Sequence, residues 1–380
     1  MTSLPLKGLL VLEFSQYLSG PSAGLRLADL GARVIKIERP NGGDPGRKLA
    51  IKNLWIGEDA LNFHAINRNK ESFVANLKNQ EDLLLVKKLI EKADVMTHNF
   101  RPGVMNKIGL DYKSVKAINK SIIYTEITGY GKEGPWKNKP GQDLLLQSLS
   151  GLAYTTGNDG EGPVPFGLSV VDTVCGIHAV QGILAALIRR QKTKQGAYME
   201  LSMMESILSF QFELLTTYYH SKNGIKRSAV NNGNPLLGAP YGIYKTKDSY
   251  IALAMMDITL LQQALDSEPL KQYSQADVFT KRDEIKTIID RVLKTNTTGF
   301  WLQRLQSLDL WASDVKNWNE LQRCNGYTEA DMEQMIRTAD GRQVTTTRSP
   351  MRINGEKLKA AVAAPLLGAH TELIRKEMIK

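Results

Sequence analysis

Only two cysteines, Cys175 and Cys324, occur in the 380 residues of this chain. A disulfide framework is therefore excluded, and the fold suits a reducing cytoplasm. No apolar run approaches the roughly 18 residues that span a bilayer, so no membrane partner is expected. The N-terminal MTSLPLKGLLVLEF holds an apolar run too short for a signal segment. Glu13 ends it, and no small-residue cleavage site follows. It reads instead as a buried first strand. The five histidines (His64, His98, His178, His220 and His370) show no H-x-x-x-H spacing, and none neighbours a second cysteine, so no metal site is expected. There is no P-loop. GYGKEG (129–134) has the form G-x-G-x-x-G, but Pro135, Pro140 and Gly141 follow it, and no helix can begin where a pyrophosphate would need an N-terminus. The first strand-to-helix turn, SQYLSGPSAG, lacks that fingerprint too. Nor is there a Lys/Arg block interleaved with aromatics, which argues against a nucleic-acid partner.

The composition is that of an ordinary globular protein: 42% hydrophobic and 23% charged, with a net charge of +10. The positive balance fits either a lysine-biased solvated surface or an anionic small ligand such as a phosphate-rich cofactor. Along the first 130 residues two periods alternate. Strands are expected at 8–14, 33–38, 94–99 and 121–128. Helices are expected at 21–32 and 82–93, with helical turns around 103–119. Alternating strands and helices predict an α/β fold with a parallel sheet covered on both faces. Helices near 143–151, 172–191 and 202–221 follow. The polar, Gly/Asn-rich stretch 222–238 reads as a linker. Beyond it, a β-hairpin at 239–255 and helices near 257–266, 280–294 and 298–308 predict a smaller α+β domain, ending at 337. The stretch 338–357 is again linker-like, with the linker proper at 338–349. A last helix closes the chain.

Several residues are candidates for a site. Arg39 ends the second strand, where doubly wound sheets gather ligands. Its guanidinium would either stack on an adenine or meet a phosphate, or else form a surface ion pair. Glu38 should alternate away from it. Asn99, Phe100, Arg101 and Lys107 follow the next expected strand in THNFRPGVMNKIGLDY. A flat aromatic, an amide and two cations at one sheet edge suit a nucleotide. Cys175 and His178 lie three apart on one helix and form either a thiol–base pair or a piece of core. Asp172 opens a long apolar helix. It could simply be an N-cap. Yet Gly176 and Gly182 lie inside that helix, each costing about 1 kcal/mol relative to Ala, which implies that something packs closely alongside. The preceding PVPFGLSVV makes Asp172 one of few polar groups in an apolar wall, a setting for a reactive carboxylate.

Several segments in order, VLEFSQYLSGPSAGLRLADLGARVIKIERPNGGDPGR, ADVMTHNFRPGVMNKIGLDY, the D-x3-GIHAVQGILAAL stretch from Asp172, GNPLLGAPYGIYKTKD and APLLGAHTELI, resemble the class III CoA-transferases. That family includes the formyl-CoA and carnitine CoA-transferases and is related to 2-methylacyl-CoA racemases. The likeness runs from about residue 5 to about residue 372. It implies a Rossmann-like large domain built from 1–221 and 350–380, with the small domain 239–337 between them, and an interlocked homodimer. It implies acyl-CoA and a small carboxylic acid as substrates, with no permanently bound cofactor. By the same matching, Asp172 is the expected nucleophile, passing through a mixed anhydride and a CoA thioester. Arg39 would face the adenine. Asn99 and Phe100 would contact CoA, with Arg101 beside them by the reading of the sheet edge above. Lys78, Lys107 and Lys139 would meet its phosphates, and the backbone near Tyr17 would line the thioester channel.

Three departures bear on the substrate and the reaction. Leu18 stands where the formyl-CoA enzyme has glutamine, and NNGNPLLG replaces its run of glycines. Both changes argue against oxalate or formate and toward a less polar acid. The racemases pair an aspartate with a histidine in GHD, whereas this chain reads GQD at 141–143. Gln142 cannot move a proton as that histidine does, which disfavours racemisation. The readings that stay open beside CoA transfer are an isomerase of the racemase branch and a CoA-binding or thioester-hydrolysing protein.

Overall fold

Leu10–Glu13 (β1) and Arg33–Glu38 (β2) combine Leu, Val and Ile with the buried charges Glu13, Lys36 and Glu38 and are buried on both faces, as central strands of a parallel sheet must be. Between them Ser19–Asp29 forms α1. The computed structural model describes residues 4–360 and 362–379. In it, Lys70–Val74 (β3), helix Gln80–Lys92 (α2), Val95–His98 (β4) and Ile123–Thr128 (β5) follow. After them come helices Asp143–Leu149 (α3) and Val170–Thr193 (α4), strand Ala197–Ser202 (β6) and helix Met203–Phe210 (α5). The six strands form one sheet in the order β3-β2-β1-β4-β5-β6, with every pairing parallel. Leu12 lies opposite Ile35 on one side and Met96 on the other. The order reverses between β1 and β4, which is where a doubly wound sheet opens a crevice at its strand ends.

The expected α/β class is what the chain adopts. Two strands of the sheet were not expected. KESFV (70–74) carries a lysine, a glutamate and a serine, so its pattern does not look apolar. Lys70 and Ser72 are nevertheless buried, because both are held in ion and hydrogen-bond contacts. AYMELS (197–202) lies between the helices expected at 172–191 and 202–221, with no element expected before 202, and it forms β6 on the far edge. The second correction concerns the apolar run. Helix α4 is 24 residues long and is, by length and composition, apolar enough to cross a membrane. In this fold it packs against α1. Val171, Cys175, Ala179 and Ile183, four residues apart, form its fully buried stripe.

The chain forms two compact units. One comprises the residues up to Leu146, Ser169–Phe210, and the chain from Glu329 onward. The other comprises Gln147–Leu168 and Gln211–Thr328. The second unit holds the expected hairpin, Gly242–Lys245 (β7) and Tyr250–Leu253 (β8), with Ala312–Asp314 (β9) paired to β8. Helices Ile258–Leu265 (α6), Arg282–Leu293 (α7) and Thr298–Gln306 (α8) close around Tyr244, Ile251, Leu261, Ile289 and Trp301.

The chain re-enters the first unit at Glu329, earlier than the expected 350. The stretch 338–349, read as a linker for its polarity, carries strand Gln343–Thr347 (β11), paired with Glu333–Arg337 (β10). The last helix, Thr371–Ile379 (α9), seats Ile374 in the same core as Phe73, Leu89 and Met96. It also covers the edge of β3: Ser72 O accepts from His370 N–H at 3.1 Å, and Thr371 Oγ1 accepts from Val74 N–H at 3.0 Å. An open parallel edge is thereby closed.

Candidate active site

The crevice between β1 and β4 is built from the two loops that leave those strands. Asn99, just past β4, ties them together. Its Oδ1 accepts from Gln16 N–H at 2.8 Å, and its Nδ2 donates to Gln16 O at 2.7 Å. Tyr17 is next, in the left-handed region at φ 63°, a strained conformation for an aromatic residue. It is held there by Asp44, whose Oδ1 accepts from Tyr17 N–H at 3.1 Å and from Gly46 N–H at 2.8 Å.

Asp44 belongs to a buried ionic network beneath the crevice. Lys36 Nζ meets Asp44 Oδ2 at 2.8 Å and Glu13 Oε1 at 3.0 Å, and donates to Ser15 O at 2.8 Å. Lys70 takes the other oxygen of Glu13 at 2.8 Å. Alongside, Arg47 grips Glu38 through Nη2 at 2.7 Å and Asp59 through Nη1 at 2.6 Å. Burial alone would raise the Glu38 carboxyl, but the bonds and charge of Arg47 outweigh it and hold it down at about 2. Glu38 thus turns inward, as alternation requires. Arg39 is exposed, its Nε donating to Gly43 O at 2.9 Å. The loop 39–46 is a rigid platform, because breaking buried pairs of this kind is costly.

Asp172 reaches this crevice from α4. The helix begins at Val170 with Ser169 as its cap residue, so Asp172 lies in the first turn and is not the N-cap that the sequence admitted. Its own N–H is satisfied by Asp143 Oδ2 at 3.0 Å. Its carboxyl lies near Ser19 at the start of α1, whose donors favour the ionised form. Burial, and then the Asp143 charge, push the Asp172 carboxyl up to about 6 against the smaller opposing influence of Ser19. Gly176, one turn on, explains how α4 comes so near: a Cβ there would lie 2.1 Å from Ser22 Oγ and 2.9 Å from Ser19 O. Gly182 answers a softer constraint, the flexible tip of Met199 at 2.2 Å. Cys175 is fully buried, and burial pushes its thiol up to about 12, so it belongs to the core.

The fold therefore links Gln16, Tyr17, Ser19, Asn99 and Asp172 around one crevice. Leu18 is partly buried beside them. Phe100 is partly buried and stacks on His98, with ring centres 6.1 Å apart. Lys78, Arg101, Lys107 and Lys139 are exposed, available to phosphates but fixed by no contact within the crevice. Lys139 lies over the Trp136 ring at 5.6 Å, and Arg101 lines a separate small cleft with Tyr112, Lys132 and Tyr198. Gln142 is exposed, and its backbone carbonyl accepts the first bonds of α3. Among the described residues no group of three metal-ligating side chains occurs.

Sequence reasoning missed Asp143, Ser19 and Asp44. Asp143 follows Gln142 in GQD. Its placement just before the apolar LLL was the available signal of a helix start. Nothing in the pattern marked Ser19 or Asp44.

The family model for CoA-transferase family III matches residues 6–371. Human succinyl-CoA:glutarate CoA-transferase is 28% identical over 99% of this chain and 86% of its own length. Acetyl-CoA:oxalate CoA-transferase of Acetobacter aceti is 32% identical over 78% of this chain and 77% of its own. Among solved structures, a CAIB/BAIF family protein from Brucella suis superposes with a TM-score of 0.85 at 29% identity, covering 99% of this chain and 100% of that one. A hypothetical protein from Mycobacterium tuberculosis gives 0.82 at 26%, covering 97% and 99%. The match along nearly the whole chain, together with the shared fold, makes this protein a CoA-transferase that belongs to family III.

Proposed function

We propose that this enzyme moves CoA from an acyl-CoA to a free carboxylic acid through covalent intermediates on Asp172. One observation carries the reading: a partly buried carboxylate, with its proton affinity raised, lies at the N-terminus of α1 in the crevice where the sheet order reverses. The Asp172 carboxylate attacks the thioester carbonyl. The C–S bond breaks, leaving an aspartyl–acyl anhydride and CoA thiolate. The thiolate then attacks the aspartyl carbonyl, the C–O bond breaks, and the donor acid departs as a carboxylate. Asp172 now carries CoA as a thioester. The acceptor carboxylate attacks that thioester, and the same two steps run backward. Each step exchanges one anion for another, and the thioester is conserved, so no nucleotide hydrolysis is required.

The residues of the crevice support each requirement. A desolvated carboxylate is a stronger nucleophile than a hydrated one. The charge it loses on acylation relieves its repulsion with Asp143. The start of α1 lies against the first turns of α4 at Gly176, near where an oxyanion develops on the aspartyl group. Tyr17 and the 39–46 platform offer the surface along which CoA would lie. Exposed Arg39, Lys78, Arg101, Lys107 and Lys139 supply the positive field for its phosphates. Transfer is favoured over racemisation because Gln142 offers no proton-transferring group.

For the acids, the relatives named for succinyl-CoA and glutarate point to short dicarboxylates, and Leu18 in the crevice fits an acid with a methylene chain. Homodimerisation is supported by the outer face of α4, where Ile177 is 46% and Ile188 61% exposed. Such residues on a core helix call for a cover. A panel of acyl-CoA donors paired with dicarboxylic acceptors tests the reading. Transfer with succinyl-CoA and glutarate is the expected result, and hydrolysis without transfer across the panel would overturn it.

A further inference from the structure

Arg39 is an exposed cation with no carboxylate partner among the described residues. Its neighbour Glu38 has turned away into the fold. The Arg39 side chain is nevertheless tethered, because its Nε donates to Gly43 O at 2.9 Å. That bond leaves both terminal nitrogens and the flat face of the guanidinium for a ligand.

Gly43 O belongs to the peptide group whose N–H is that of Asp44. The unit is planar and trans, so its carbonyl and its N–H point in opposite directions. Arg39 docks on the carbonyl end. Glu38 grips the other end, where its Oε1 accepts from Asp44 N–H at 3.0 Å. One peptide plane thus joins two consecutive side chains, one buried and one exposed. Gly43 itself is at φ 63°, and a Cβ there would lie 2.6 Å from Glu38 Oε1. Glycine lets the loop close on the carboxylate.

The carboxylate is fixed from behind. Arg47 donates to Oε1 from Nε at 2.8 Å and to Oε2 from Nη2 at 2.7 Å. Ser72 Oγ donates to Oε2 at 2.6 Å and accepts from Gly368 N–H at 2.9 Å. Arg47 is held in turn by Asp59 at 2.6 Å, by Pro365 O at 3.1 Å and by the Phe63 ring beneath it. Glu38 is 3% exposed, so it cannot touch a substrate itself.

We infer that Glu38 is a positioning residue for CoA, acting through the Gly43–Asp44 peptide to aim the Arg39 guanidinium at the nucleotide end of the substrate. The inference rests on the reading that CoA lies along the 39–46 loop. It gives the returning C-terminal segment a part in binding, since Pro365 and Gly368 brace the partners of Glu38. Tyr17 is held by a separate route. The Asp44 carboxylate that binds it is fixed by Lys36 and by Gly46 N–H, not by Glu38. Loss of Glu38 should therefore act on Arg39 rather than on Tyr17.

A double-mutant cycle on CoA affinity, measured by calorimetry, is the test. Arg39→Ala should weaken CoA binding about 10-fold, and Glu38→Ala by a similar factor, as the loss of one charged contact does. Added to Arg39→Ala, Glu38→Ala should cost less than about twofold more, because the group it positions is gone. Glu38→Gln, which keeps an acceptor for Asp44 N–H, should restore most of the affinity. An acyl-pantetheine lacks the nucleotide, so folded Glu38→Ala should use it with a kcat/KM within about twofold of the wild-type value. General damage to the fold would not spare that reaction. Should Glu38→Ala fail to fold, Arg47→Lys keeps the charge but loses the two-point grip, and must weaken CoA binding with the same dependence on Arg39. Equal effects with and without the Arg39 side chain overturn the inference, as does an equal loss with the acyl-pantetheine. Failure of the underlying reading is seen separately, as CoA affinity unchanged in Arg39→Ala alone.

Discussion

The backbone N–H of Asp172 donates to Asp143 Oδ2 at 3.0 Å, so the carboxylate that caps the first turn of α4 also faces the side chain read as the nucleophile. The pair has a dual consequence. The bond fixes where the turn begins. The charge makes Asp172 harder to ionise, after burial has already done so. Asp143→Asn keeps an oxygen for the N–H but removes the charge. The acidic limb of kcat/KM, expected near pH 6 in the wild type, should move toward lower pH in this variant. A limb that stays in place would show that Asp143 acts through the hydrogen bond alone.

The raised Asp172 carboxyl also sets a stability signature. Its folded value, about 6, lies above the ordinary 3.8. As pH rises from about 4 to 6, the unfolded chain ionises first, and the fold loses stability through this group. Asp172→Asn removes that penalty. Its unfolding free energy should exceed that of the wild type at pH 7.5, by up to about 3 kcal/mol, and should converge with it near pH 4. A less stable Asn variant at pH 7.5 would contradict the direction.

Two glycines in one helix should behave differently. Ala at 176 would press on Ser19 O, a backbone atom at 2.9 Å, and on Ser22 Oγ at 2.1 Å. Gly176→Ala should cost about 1–3 kcal/mol, as overpacking does, and displace α4 from α1, with a loss of activity larger than the loss of stability implies. Gly182→Ala meets the mobile methyl of Met199, which can turn aside. That variant should be near neutral or slightly stabilising, since alanine is the better helix former. Denaturant titrations of both variants check the contrast.

Much of this was legible in the residues. Alternating apolar runs and helical periods disclosed the parallel sheet. The paired Gly176 and Gly182 signalled a close approach along the helix of Asp172, and the first of them is where α1 meets it. The strand at 70–74 was hidden because two of its three buried positions are Lys70 and Ser72, made tolerable only by Glu13 and Glu38 from other strands, and no local pattern reports such pairing. The strand at 343–347 was hidden for a related reason. QVTTT buries Val344 alone among its apolar residues, so composition reads as linker. Ser19 and Asp143 are ordinary residues in sequence, and their significance arises only where two helix starts converge.

The platform beneath Tyr17 can be probed through Asp44. Asp44→Ala leaves Lys36 with one carboxylate fewer, removes the acceptor for two backbone N–H groups, and should destabilise the fold by about 3–5 kcal/mol. Asp44→Asn keeps the acceptor toward Tyr17. It should retain more stability and raise KM for the acyl-CoA less than the alanine variant does. Equal effects from both would place the contribution of Asp44 in its charge alone.

The central claim concerns a covalent bond to one side chain, and mass spectrometry of the enzyme mixed with acyl-CoA reads it directly. Quenching with hydroxylamine or borohydride should leave a modification on the peptide that contains Asp172. The modification should be absent in Asp172→Ala, which should still bind CoA but transfer none of it. A modification mapped to another residue, or transfer that continues in Asp172→Ala, would contradict the account.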